Sequence, residues 1–173
     1  PGAPYRLSAT PWRLDRRAPL LGEHNDAILG QIDMAAEPAV RPPQATDSAR
    51  RLLAGVRVID FSWIGAGSYT TKILADLGAD VIKIESGQRL DTLRMTKPFK
   101  DGKPGVNRSG YFADRNSSKR SVALNLKDAR SLALVKRLIA KADLVANNFA
   151  PGVMDKLGLD YDVLREINPR LVF

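Results

Sequence analysis

Gly65-Ala66-Gly67, Glu85, Lys119-Arg120-Ser121, Lys127, Asn148-Phe149 and Lys156 are residues of types and spacings that suit ligand chemistry. Glycines between a strand and a helix let the backbone approach a phosphate or an adenine, and the helix N-terminus that follows favours anions. A purely structural tight turn would read the same way. The third glycine of the dinucleotide fingerprint, due near Thr70, is missing. Glu85 follows Gly67 by 18 residues, and an acid near that spacing takes ribose hydroxyls in nicotinamide and flavin enzymes. It reads equally as a surface acid paired with Lys83 or an arginine. Lys119, Arg120 and Lys127 flank a strand, where point-charge lysine and forked arginine suit phosphates, although charged strand ends are often simply solvated. Asn148 and Phe149 offer an amide and a ring for covering an adenine or for core packing. Lys156 in the next helix reaches back toward the same crevice.

These residues need a scaffold that brings them to one edge. Val56–Phe61 is β-branched and apolar enough for a buried parallel strand. Tyr69, Ile73, Leu74 and Leu77 recur at helical spacing and predict a helix over Tyr69–Leu77, stopped by Gly78. Val81–Ile84, closed by Glu85, is the second strand, Ser121–Leu126 the third, Leu144–Ala146 the fourth and Leu171–Phe173 the start of a fifth. Asp128 is an N-cap for a helix through Lys141, with Leu132, Val135, Leu138, Ile139 and Ala142 on its apolar side. Pro151–Leu157 and Tyr161–Ile167 read as short helices. Strands alternating with helices predict an α/β fold, a three-layer parallel sheet with an extended N-terminal arm. Several candidate residues then fall at the carboxyl ends of strands, where doubly wound sheets hold nucleotides.

Composition narrows the chemistry further. The chain has no cysteine, which excludes disulfides and thiolate metal sites, and its single histidine, His24, leaves no His-based zinc cluster or Ser-His-Asp triad within it. Pro1–Arg17 carries no signal-like apolar run, so a cytoplasmic setting without a membrane span is expected. The net charge of +8 is uneven: between Ser86 and Arg120, nine basic residues face three aspartates. That stretch reads as a solvated loop or as a polyanion patch. Its Phe99, Tyr111 and Phe112 would stack on bases or anchor the loop, but no nucleic-acid-binding signature accompanies them. Three segments separate: residues 1–32 are polar and arginine-rich with a short helix around Asp26–Ile32, residues 33–52 are a proline-rich linker, and residues 53–173 are globular. The chain reads as a piece of something longer.

Five ordered blocks resemble the N-terminal domain of class III CoA-transferases, the family of formyl-CoA:oxalate and carnitine CoA-transferases and α-methylacyl-CoA racemase. They are Leu53–Phe61, Leu74–Glu85, Asn116–Lys127, Ala142–Gly158 and Ile167–Val172. Arg17–Leu29 is similar to the extreme C-terminus of the same family, so the order here suggests a tandem fusion, the tail of one unit joined to the head of another.

The resemblance implies a Rossmann-like CoA-binding domain holding coenzyme A or acyl-CoA through Ile64, Gly65, Ala66, Leu124, Asn125, Lys127, Asn148, Phe149 and Lys156. It also implies transfer of CoA between carboxylic acids through an aspartyl intermediate, without a metal. The partners would be an acyl-CoA and an acid acceptor, in an interlocked homodimer or an intramolecular pseudo-dimer. The catalytic aspartate is expected beyond Phe173, so no residue of this chain is assigned that role. Alternatives are the racemase branch, a non-catalytic CoA-binding or assembly module, and a nicotinamide-dependent oxidoreductase resting on Gly65, Gly67 and Glu85. Departures from the family pattern are Ser68 for proline, Ser86 for arginine and Asn147-Asn148-Phe149-Ala150 for Glu-Asn-Phe-Arg. Arg89 or Arg94 would compensate for the lost arginines. CoA carries a 3′-phosphate of roughly −1.5 to −2 charge as well as a pyrophosphate, in keeping with the basic balance.

Overall fold

The computed structural model describes residues 3–32 and 51–173, so all but the last two residues of the predicted linker lie outside the described residues. Four strands form one sheet in the order β3-β2-β1-β4, every pairing parallel: β1 (Arg57–Asp60), β2 (Asp80–Glu85), β3 (Arg120–Ala123) and β4 (Leu144–Ala146). This is the order of a doubly wound sheet. The chain end runs beside β4, where Val172 bridges Leu144 in parallel, the place of the predicted fifth strand.

The register sorts side chains by period two. Val58 aligns with Val81, and both pack beneath Ala75 of α2 (Ile64–Asp76). The other face carries Ile59, Ile82, Ile84, Val122 and Leu124 against Val135, Leu138 and Ile139 of α4 (Ala129–Ile139). Asp128 takes the N-cap position of α4, but its side chain makes no capping bond. Two short helices complete the described elements after β4, α5 (Val153–Lys156) and α6 (Tyr161–Ile167), the latter capped by the Asp160 carboxylate accepting from Val163 N–H at 3.1 Å.

Two expectations change. The helix predicted over Tyr69–Leu77 begins at Ile64, so Gly65-Ala66-Gly67 forms its first turn and is not a loop before it. Gly78 does stop it, at φ +104°. The basic stretch after Glu85 is folded, with 3-10 turns at Thr92–Met95 and Lys100–Gly102 and the helix α3 (Gly110–Asn116). Ser109 caps α3, its hydroxyl accepting from Phe112 N–H at 3.1 Å. No helix among the described residues is long and apolar enough to cross a membrane.

The arm closes the β3 edge. Its one helix is α1 (Asn25–Leu29), shorter than the turn sequence predicted around Asp26–Ile32. His24 N–H donates to Ser121 O at 3.0 Å, and Ser121 N–H donates back to His24 Nδ1 at 3.2 Å. Ala123 N–H donates to Asn25 Oδ1 at 2.8 Å. Ile28 and Ile32 then enter the same core as Val122 and Leu124. An exposed edge strand is a template for association, and here the arm satisfies its free N–H groups.

Candidate functional site

The entry to α2 is gripped by side chains from two other parts of the chain. Asn148, just after β4, brackets Trp63: Trp63 N–H donates to Asn148 Oδ1 at 2.8 Å, and Asn148 Nδ2 donates to Trp63 O at 2.8 Å. Gly67 permits this approach, since a Cβ there would stand 2.9 Å from Asn148 Cγ and 2.5 Å from Ser62 Cβ. Phe149 meets Trp63 edge to face at 5.7 Å between ring centroids, and the exposed Arg89 sits over the Trp63 ring at 5.4 Å. The first amides of a helix have no intrahelical acceptor, and Gly65 and Ala66 lie here at the carboxyl edge of the sheet, beside the exposed side chain of Ile64.

Beneath this edge lies a buried ionic network. Asp60 and Lys83 face each other across β1 and β2 on the α2 side, with Lys119 reaching the Asp60 carboxylate at 3.0 Å and Asp91 pairing with Lys83 at 3.0 Å. All four side chains are fully buried. Ser68 O, Thr71 Oγ1 and Asn116 Oδ1 also lie 2.7–2.9 Å from Lys119 Nζ and share its three protons with Asp60, tying α2 and α3 to β1. Burial pushes the Lys119 ammonium down to about 8, against the pull of Asp60. For Asp60 the balance is reversed: burial raises its carboxyl, but Lys119 and Lys83 outweigh that and hold it below the usual carboxylate range.

Several expected ligand groups are therefore committed internally. Lys119 is inside the network, and Arg120 forks onto Asp80 at 2.5–2.7 Å. Glu85 is not a ribose ligand in waiting: it is buried and held by Arg94 through bonds of 2.8 and 2.6 Å. Arg94 cannot compensate for a lost phosphate contact, because all five of its donors are taken, by Glu85, Val106 O, Asn107 and Pro19 O. Its guanidinium also stacks 3.7 Å from the Phe112 ring centroid, so Phe112 anchors the loop. Arg89 remains exposed at the edge. Ser68, where the resemblance expects proline, is buried, and its Oγ has no partner among the described residues.

Of the nine predicted residues, Ile64, Gly65, Ala66, Asn148 and Phe149 gather around the α2 entry. Leu124 is mostly core, 7% exposed, and its N–H bonds Glu85 O at 2.7 Å. Asn125 Nδ2 donates to Gln88 Oε1 at 3.4 Å, placing the loop after β3 beside the turn that carries Arg89. Lys127 and Lys156 are exposed, and no side-chain bond among the described residues joins either to the cluster. Two concavities of about 360 and 180 Å³ lie elsewhere, along Pro98–Ala113 and around Arg16, Arg51 and Arg120, and are lined by none of the nine. Asp60, Lys83 and Asp91 escaped the sequence reading. For Asp60 and Lys83 the signal was a charge inside strands otherwise too apolar to meet water, Val58-Ile59-Asp60 and Val81-Ile82-Lys83-Ile84-Glu85; Asp91 lies in the loop beyond and carried no such signal.

The sequence profile of CoA-transferase family III matches residues 53–173. The chain belongs to that family. Among its relatives, a succinate–glutarate CoA-transferase of Agrobacterium fabrum is 42% identical over 123 residues, 70% of this chain and 31% of the relative. A formyl-CoA:oxalate CoA-transferase of Escherichia coli is 40% identical over 121 residues, 70% of this chain and 28% of the relative. Among solved structures, a CAIB/BAIF family protein from Brucella suis superposes with a TM-score of 0.62 at 41% identity, covering 69% of this chain and 32% of that one. The hypothetical protein Rv3272 from Mycobacterium tuberculosis superposes with a TM-score of 0.62 at 36% identity, covering 70% and 32%. This family III chain thus spans about a third of the length of the proteins it matches.

Proposed function

We propose that the chain supplies the CoA-binding portion of an enzyme that moves CoA between carboxylic acids. The observation that carries this is the α2 entry, where Asn148 holds Trp63 so that the first-turn amides of Gly65 and Ala66 face the carboxyl edge. Family membership supports CoA as the ligand, and both the curated relatives and the basic surface agree with it. The phosphates would lie against those amides with Arg89 and Lys127 at the rim, and the base would lie near Trp63 and Phe149.

The chemistry proposed for the parent enzyme follows the family resemblance. An aspartate expected beyond Phe173 attacks the acyl-CoA carbonyl, breaking its C–S bond and releasing CoA thiolate from a mixed anhydride. The thiolate then attacks the aspartyl carbonyl, giving aspartyl-CoA thioester and the free donor acid. An acceptor carboxylate repeats the two steps in reverse order and leaves as its CoA thioester. Residues 1–32 are proposed to be the tail of a preceding unit, and the setting is proposed to be cytoplasmic. The nicotinamide alternative loses its acid, because Glu85 is held by Arg94.

Titration calorimetry of the 173-residue chain with CoA and, separately, with NAD tests the reading. CoA binding that weakens with added salt is the expected outcome. Binding of NAD and not of CoA overturns it.

A further inference from the structure

Ile64 stands at φ +60° with its side chain 53% exposed. A β-branched residue resists the left-handed region sterically, and such outliers persist only where the surroundings over-determine them. Here they do. Consecutive backbone groups of Ser62–Ile64 are bound by side chains, one local and the others from elsewhere in the chain. Ser62 N–H donates to Asp60 at 2.9 Å, and Ser62 O accepts from Lys83 Nζ at 2.6 Å. Trp63 N–H and C=O both go to Asn148, and Ile64 N–H donates to Asp91 Oδ1 at 3.2 Å. The same Asp91 oxygen accepts from Leu93 N–H at 3.0 Å, while Lys83 holds the other oxygen at 3.0 Å.

We propose that Asp91 is a positioning residue for anion binding at the α2 entry, locking Ile64 in the left-handed turn by accepting its amide. The lock takes the Ile64 N–H inward and leaves the next amides, Gly65 and Ala66, to the ligand. This rests on the CoA reading given above. The acceptor oxygen is the working atom, oriented by the Leu93 N–H that it also accepts, and the ion pair with Lys83 balances the buried charge of Asp91. A carboxamide of the same shape therefore preserves the lock where an apolar side chain abolishes it.

The test compares two variants of the whole chain in which the buried pair is neutral, so that neither leaves an uncompensated charge. Lys83→Met with Asp91→Asn keeps the acceptor, and Lys83→Met with Asp91→Leu removes it. Calorimetry is expected to place the asparagine variant within about threefold of the wild-type CoA affinity and the leucine variant about tenfold weaker or worse. NMR hydrogen exchange is expected to show the Ile64 amide losing protection in the leucine variant alone. Should the leucine variant not fold, Asp91→Ser with Lys83→Met withdraws the oxygen while keeping the site polar. Equal CoA affinity with and without the acceptor overturns the proposal. A wild-type chain that binds no CoA overturns the functional reading instead, and the lock is then judged on the Ile64 amide: unchanged exchange without the acceptor overturns it too.

Discussion

Arg89 and Arg94 lie five positions apart in one basic stretch, yet the fold gives them opposite work. Arg94 has no exposed surface, neutralises Glu85 and stacks on Phe112. Arg89 rests on the face of Trp63 at the exposed edge. Arg94→Leu leaves the Glu85 carboxylate buried and alone, and is expected to destabilise the chain by about 3–5 kcal/mol in chemical denaturation. That approaches the whole stability of a modest domain, roughly 5–15 kcal/mol. Arg89→Ala is expected to shift the unfolding midpoint little, by about 0.5 kcal/mol or less, and to weaken CoA binding several-fold in calorimetry. A reversed pattern, with Arg89 governing stability and Arg94 governing affinity, would refute this division of roles.

The arm is an element whose attachment to the sheet depends on a neutral histidine. His24 Nδ1 accepts the Ser121 N–H, so a proton on that nitrogen removes the bond. Desolvation holds the His24 pKa below its ordinary 6.5, helped by Arg16, Arg120 and Arg17 and opposed by Glu23. The unfolded chain therefore takes up this proton before the folded one does. Stability contributed by the arm is complete above about pH 6.5 and declines as pH falls below that value. Thermal unfolding followed between pH 7.5 and pH 5.5 is expected to show this loss, and His24→Asn is expected to flatten it. A wild-type profile that the substitution leaves unaltered would remove His24 from the account. Ile28 and Ile32, 2% and 4% exposed, make the arm part of the core rather than an appendage.

At the scale of the whole molecule, charge is partitioned between interior and surface. Among the described residues the buried charged ones are Asp60, Lys72, Asp76, Lys83, Glu85, Asp91, Arg94 and Lys119, four of each sign. Within that set the interior is neutral, so the net +8 is carried outside it. An electropositive exterior draws polyanionic ligands and weakens with ionic strength. The opposite side of the sheet from the arm is less protected: Val172 and Phe173 beside β4, with Tyr161 against Phe173, are 60%, 45% and 45% exposed. The isolated chain is expected to self-associate there, and Val172→Lys is expected to shift sedimentation velocity profiles toward monomer. A concentration-independent monomer in the wild type would contradict this.

The order of elements, the parallel sheet and the family were all legible in the residues alone, because each rests on short-range pattern. Leu144–Ala146 and Tyr161–Ile167 form the elements predicted for them, and the apolar residues predicted for α4 are those that reach the core. The gathering of Gly65, Asn148 and Phe149 follows from the same pattern, since parallel strands put the residues after them on one edge. Partner choice among charges was not legible. Lys119 meets Asp60 across 59 positions, and His24 meets Ser121 across 97. A lysine before a strand looks the same in the sequence whether it faces phosphate or a buried carboxylate. Desolvation decides between the two, and only the packed structure determines which side chains lose their water.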